Sequence, residues 1–250
     1  MLMKKRTFTL KIFLLILLAS FSSSLNAQEK TDVGSPKLFE AVNYAGGNIG
    51  LSTGTTGDGH HFFAEGLFQY NLKDWTFFAG AQASKDGGSI TLSVQYWPFT
   101  WERSRLGAKL IYNLDIYGDI SITNNILPGI TVECQPTPWF AFRIDTFYLF
   151  KGRFIYALQD QAFQPVNTFA YRQELLFYLP HDITLSQYVA TYSSFRYTQP
   201  ADLELGLAAS WDMDENLTFT ADITSRQIIY YLFTTAFTAW EFRMGARYKL

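Results

Sequence analysis

The feature that most constrains this chain is the strict two-residue period of its last segment. Trp240, Phe242, Met244, Ala246, Tyr248 and Leu250 fall on one face, and Glu241, Arg243, Gly245, Arg247 and Lys249 on the other. Successive side chains of a strand point to opposite faces, so this pattern predicts a strand with one apolar and one polar side. The logic recurs upstream. Leu217, Phe219, Ala221 and Ile223 oppose Thr218, Thr220, Asp222 and Thr224, and Leu203, Leu205, Leu207, Ala209 and Trp211 oppose Glu204, Gly206, Ala208 and Ser210. The uncharged, largely apolar stretch Gln227 to Trp240 is broken by Thr234, Thr235 and Thr238. No run reaches the length of a spanning helix, so a membrane crossing, if there is one, is expected to use strands.

Alternation alone also fits a soluble sandwich with its apolar face inward. Composition argues against that. Aromatic residues make up 18% of the chain and charged residues 17%, the latter against about 25% in an ordinary soluble domain. Mean hydropathy is −0.01, the average expected when one face is lipid-soluble and the other polar. Short polar turns (Lys73-Asp74, 100–104, Thr137-Pro138, His181-Asp182 and 212–216) alternate with longer connections near 54–60, 85–89, 118–125, 151–166, 197–202 and 227–237. Five short turns and six longer loops predict twelve strands, with ten or fourteen as alternatives. The expected fold is all-β: a transmembrane antiparallel up-and-down β-barrel with both termini on the short-turn, periplasmic side. Strands are expected at 38–53, 60–72, 75–84, 89–99, 105–117, 123–136, 139–151, 167–180, 183–197, 202–212, 217–228 and 238–250.

Tryptophan and proline agree with this layout. Trp75, Trp97, Trp101, Trp139 and Trp211 all sit at or beside short turns, as an interfacial aromatic belt requires. Pro98, Pro136, Pro138 and Pro180 flank the same turns, where a missing N–H costs no ladder bond. Three places fit less well. Pro128 predicts a bulge or a late strand start, strands 1 and 9 alternate poorly, and Gln173 falls on the lipid face of strand 8, so a bulge or a phase slip is expected in these strands.

The N-terminus reads as a secretory signal peptide over 1–27. Lys4, Lys5 and Arg6 precede an apolar run from Ile12 to Phe21, and cleavage after Ala27 leaves Gln28 first. Residues 28–37 then form a short periplasmic segment ahead of a barrel domain over 38–250. Without the signal, 16 basic residues face 22 acidic ones, a net charge of −6, so nucleic acid is not an expected partner. The single cysteine, Cys134, lies in an apolar stretch and reads as a small hydrophobe.

The signal peptide, the turn Asn71-Leu72-Lys73-Asp74-Trp75 and the strand Trp240 to Leu250 together resemble bacterial outer-membrane β-barrel proteins as a class, over 28–250. Such proteins often end in an aromatic residue that the assembly machinery reads. This chain departs from that, with Leu250 last and Tyr248 two residues earlier. The resemblance implies an outer-membrane location, with membrane lipids and the assembly machinery as partners.

If the apolar face meets lipid, the opposite face lines the barrel. Glu65, Lys109, Asp115, Glu133, Arg143, Asp145, Arg172, Glu174, Glu204, Asp222, Arg226, Glu241, Arg243, Arg247 and Lys249 collect there. Arg or Lys on the lipid side would cost roughly 2–4 kcal/mol each at the midplane, which sets the orientation. The expected function is a passive channel for small hydrophilic solutes through this charged lumen. The alternatives are a closed structural or adhesive barrel, and a membrane-embedded hydrolase using His60 or His61 beside Ser52. No CxxC, HExxH or phosphate-loop motif is present, so no metal or other cofactor is expected. No plug domain is read ahead of the barrel, so energy-coupled uptake is not expected. The apolar residues near 154–163 and 228–233 read either as strand ends in the outer aromatic belt or as a docking patch.

Overall fold

The computed structural model describes residues 37–54, 60–85, 87–117, 121–155, 166–191, 202–230 and 234–250. The signal peptide over 1–27, most of the segment 28–37, and the loop residues 156–163 and 231–233 lie outside the described residues. Twelve strands follow in order: β1 (Tyr44–Gly54), β2 (His60–Leu72), β3 (Trp75–Ser84), β4 (Gly87–Thr100), β5 (Ser104–Tyr117), β6 (Ser121–Thr137), β7 (Phe140–Ile155), β8 (Val166–Leu179), β9 (Ile183–Ala190), β10 (Asp202–Asp212), β11 (Leu217–Tyr230) and β12 (Thr234–Lys249). Each pairs antiparallel with its chain neighbours, and β1 pairs with β12 from Tyr44↔Lys249 to Gly54↔Ala239. The sheet is a closed barrel. No helix of the described residues is long and apolar enough to cross a membrane.

The faces separate as the alternation requires. Ile49, Phe62, Leu92, Ile130, Phe169 and Met244 are exposed on the outside. Asn113, Asn125, Glu133 and Glu241 are almost wholly buried inside. Short turns close one end. Lys73 takes a left-handed φ of 53° between β2 and β3, and His181 and Asp182 take 64° and 56° between β8 and β9. Two consecutive positive-φ residues match the twist of a two-residue hairpin. Around this end the outer face carries stacked rings: Trp75 on Tyr96 at 4.6 Å, Phe99 on Trp101 at 6.1 Å, and Trp211 beside Phe219 at 6.3 Å.

Several local expectations are corrected. β1 begins at Tyr44 and not at 38, because Lys37–Phe39 forms a 3₁₀ turn that leaves the wall. Pro128 marks neither a bulge nor a strand start. It sits within β6 opposite Leu110, and its missing N–H interrupts the ladder to β7 between Ile126↔Phe150 and Gly129↔Phe147 without changing register. The register shifts fall instead at Tyr96/Phe99, Cys134/Thr137 and Arg226/Gln227. The first two span Pro98 and Pro136, so proline lies at a bulge where the barrel nears its short turns. No slip occurs at Gln173. β8 keeps one register against both neighbours, and Gln173 is exposed on the outer face. β7, β11 and β12 run further than expected, so Phe154 and Ile155, and Ile228 to Tyr230, are strand ends.

The wall makes a direct prediction. Leu92 lies mid-strand on the outside, opposite Ala79 and Tyr112. Leu92→Arg should destabilise the protein folded in lipid vesicles by roughly 2–4 kcal/mol, read from urea unfolding, because the charge faces hydrocarbon. Loss of less than a kcal/mol would contradict a lipid-facing Leu92.

Candidate functional site: the lumen

The interior is built from every second residue of each strand, the neighbours of the exposed ones. All fifteen charged residues named from the sequence fall on inward positions, and nine of them form two ion-paired groups. On one side, Glu133 of β6 is buried and shared by two arginines. Its carboxylate accepts from Arg105 Nε of β5 at 2.6 Å and from Arg143 Nε of β7 at 2.5 Å. Glu174 of β8 lies 3.6 Å from both Arg143 and Arg172. The second group surrounds Arg243 of β12, which contacts Glu241 at 2.8 Å, Asp222 at 3.2 Å and Glu65 at 3.3 Å. Arg226 Nη2 donates to Glu241 at 2.7 Å. In the closed ring β6 and β7 lie opposite β12 and β1, so the two groups face each other across the lumen.

Tyr188 of β9 joins them. Its hydroxyl donates to Asp222 at 3.0 Å, and the Arg172 guanidinium stacks 4.0 Å from its ring centroid. Toward the loop end the inward side chains are more closely packed. Asn125 donates to Asp115 at 3.1 Å beside the fully buried Asn113. Leu127, Phe147 and Leu149 form a buried apolar cluster with Ile111 and Ala170. Lys249 pairs with Asp212 at 3.3 Å at the short-turn rim, and Glu204 is buried on β10.

Large inward rings do not fill the barrel, because glycine accommodates them at the wall. Phe63 lies over Gly50, Trp97 over Gly107, Phe147 over Gly129 and Tyr188 over Gly206. A Cβ at those glycines would stand 2.1, 2.8, 2.3 and 2.0 Å from a ring atom. Each ring therefore lies against the neighbouring strand and not across the axis. The space left is a cavity of about 520 Å³ in the half nearer the short turns, lined from every strand except β6. Glu65, Lys109, Arg143, Asp145, Arg172, Glu174, Asp222, Arg243 and Arg247 all reach it.

Two of these cations have no carboxylate partner among the described residues. The Lys109 ammonium stands 5.9 Å from the Phe147 ring centroid, and the Arg247 guanidinium 5.1 Å from that of Tyr44. Arg247 Nε is buried and makes no hydrogen bond.

The barrel is shared with known proteins. The structure superposes on the NanC porin with a TM-score of 0.61 at 12% identity, covering 82% of this chain and 100% of that one. For the KdgM porin in complex with disordered oligogalacturonate the values are 0.58, 11%, 82% and 99%. The fold is that of the outer-membrane porins. No family model matches the sequence, and no curated relative matches it.

Three features of this porin-like lumen were missed from sequence. Trp97, expected in the outer belt, is 7% exposed and lies under the Arg105 guanidinium, 3.8 Å from its ring centroid. Tyr96 takes the outward position, so alternation turns Trp97 inward. Arg105 belongs to the inner set, and its spacing of four from Lys109 on one strand would have shown this. The ring-over-glycine pairs join consecutive strands, and an inward glycine opposite an inward aromatic residue would have signalled them once the register was known. The histidines part as neighbours on a strand do. His61 faces Ser52 across the β1–β2 ladder and His60 points the other way. Ser52 Oγ and His61 Nδ1 are buried and make no hydrogen bond, so the two are not linked as a nucleophile and base would be.

Gly206 tests the packing of the wall. Gly206→Ala places a methyl where the Tyr188 ring lies. The ring must move toward the cavity and give up its bond to Asp222, at a cost of about 1–3 kcal/mol for overpacking. Urea unfolding in lipid should show that loss, and Tyr188→Ala in the same background should recover part of it. An additive double mutant would sink this account.

Proposed function

We propose that this protein is an outer-membrane channel through which small hydrophilic solutes diffuse, with its short-turn end in the periplasm. The observation that carries the reading is the unfilled, charged cavity on the barrel axis. Eight-stranded barrels are filled by side chains and those of sixteen or more strands hold wide aqueous channels. A twelve-stranded wall whose aromatic rings are flattened onto glycines keeps a narrow polar passage. Ion pairs along both sides balance most of the charge, so the passage favours hydrated polar solutes over apolar ones. The porin-like fold supports this class of activity.

The preference among solutes follows from the two cations without carboxylate partners. Lys109 and Arg247 bias the cavity toward anions. One structural neighbour was obtained with oligogalacturonate, an acidic sugar chain, which is the kind of solute such a bias would suit. Refolded protein in a planar bilayer should give discrete conductance steps, with a reversal potential in a salt gradient that reports mild anion selectivity. Silence at high protein load favours a closed structural barrel. Lys109→Glu together with Arg247→Glu should move the reversal potential toward cations. A wild-type channel that already prefers cations removes the anion reading but leaves the channel.

A further inference from the structure

Residues 37–43, directly ahead of β1, lie against inward side chains of the barrel. Lys37–Phe39 forms a 3₁₀ turn inside the short-turn mouth. The Leu38 N–H donates to Gln135 Oε1 of β6 at 2.9 Å, and Arg105 Nη2 of β5 donates to the Leu38 carbonyl at 3.2 Å. The same guanidinium lies between two rings, 4.9 Å from the Phe39 centroid and 3.8 Å from that of Trp97. Leu38 is 8% exposed.

Four residues later the chain is on another part of the wall. The Val42 carbonyl accepts from Gln69 Nε2 at 3.2 Å and from Asn71 Nδ2 at 2.8 Å, both on β2. Asn43 Oδ1 accepts from the Asn71 N–H at 2.6 Å, and its carbonyl accepts from the Leu250 N–H at 2.9 Å, just past β12. Gln135, Arg105, Gln69 and Asn71 are all inward positions. In ring order, β2 lies three strands from β5 and four from β6. Residues 38–42 therefore run across part of the mouth, inside the wall, from β5 and β6 to β2.

We propose that residues 37–43 are a strap that restricts the short-turn mouth, latched on β5 and β6 by Arg105 and Gln135 and hinged on β2 and the end of β12 at Val42 and Asn43. The strap rests on the channel reading for its role in flux, but its effect on access to the cavity does not. The two sides are held unequally. The hinge side adds the Leu250 bond and continues directly into the β1 ladder. The latch side depends on one glutamine, one arginine with the Phe39 ring against it, and the burial of Leu38. Arg105 also holds Glu133, so the latch draws on the ion pairs that order the wall. When Leu38 and Phe39 leave, that salt bridge still fixes Arg105, and the mouth opens without loss of the barrel.

Two readouts test this on the full chain in a Cys134→Ala background. In detergent, Ser93→Cys places a thiol on the cavity wall, and its reaction rate with a charged methanethiosulfonate reagent reports access. Leu38→Gly with Phe39→Gly should raise that rate severalfold, and an unchanged rate overturns the strap whether or not the protein conducts. In a planar bilayer, Leu38→Cys with Gln135→Cys should lower conductance when oxidised and restore it on reduction. Conductance that ignores the redox state of that pair, in a barrel that conducts and forms the disulfide, also overturns it. A faster labelling rate in a silent barrel keeps the strap and removes the channel. Phe39→Gly alone, which leaves Arg105, Gln135 and Glu133 in place, should raise the labelling rate by a smaller factor while leaving the unfolding midpoint unchanged, which separates an open mouth from a weakened wall.

Discussion

Everything in this molecule depends on the closure of β1 onto β12. A strand in hydrocarbon has no water to satisfy its N–H and C=O groups, and an open sheet edge there would leave several kcal/mol unmet per group. The eleven residue pairs from Tyr44↔Lys249 to Gly54↔Ala239 remove that edge. Once the ring is closed, alternation has only two places to send side chains. The outer face must be apolar, and every charge on a strand must share the interior. The ion pairs around Glu133 and Arg243 are thus consequences of confinement. Arginine, with its fork of donors, is the residue that can serve several carboxylates at once, and Arg243 contacts three.

Confinement creates a second problem, which is volume. Twelve strands enclose more room than eight but not enough for large rings across the axis and an open cavity together. The glycines at 50, 107, 129 and 206 resolve it by letting Phe63, Trp97, Phe147 and Tyr188 lie along the wall. Phe147 supports Lys109 and Tyr188 supports Arg172, so the rings that would have filled the cavity orient the charges that line it. Packing and electrostatics are not separable here: moving one ring moves the cation stacked on it.

The segment 37–43 adds a feature that belongs to neither wall. It meets Arg105, Trp97 and Gln135 on one side and Gln69 and Asn71 on the other. The mouth of the cavity is therefore shaped by a strap held by side chains whose first role is to complete the barrel. A change at Arg105 acts on the wall through Glu133 and on the mouth through Leu38, so its effects on stability and on access are expected to move together. Effects at Leu38 or Phe39 are expected to separate them.

Much of this was legible in the order of residues. The two-residue period of Trp240 to Leu250 and of the segments before it determined the strands and which face meets lipid. The alternation of short turns with long connections determined their number. Both signals are local, and a barrel wall is made of local periods. The sequence did not determine where Trp97 would point, because its position beside a turn matched the belt and only the phase of β4 decided it. Nor did it locate the bulges: Pro128 looked like one and is not, since its ladder bond is lost on one side while the register holds on the other. Tertiary structure alone decided which charges pair, which rings lie on which glycines, and that residues 38–43 run across part of the mouth and do not extend β1. Closure brings Arg243 of β12 within reach of Glu65 of β2, far apart in the chain, while the register of neighbouring strands sets Glu133 between Arg105 and Arg143 and each ring over its glycine.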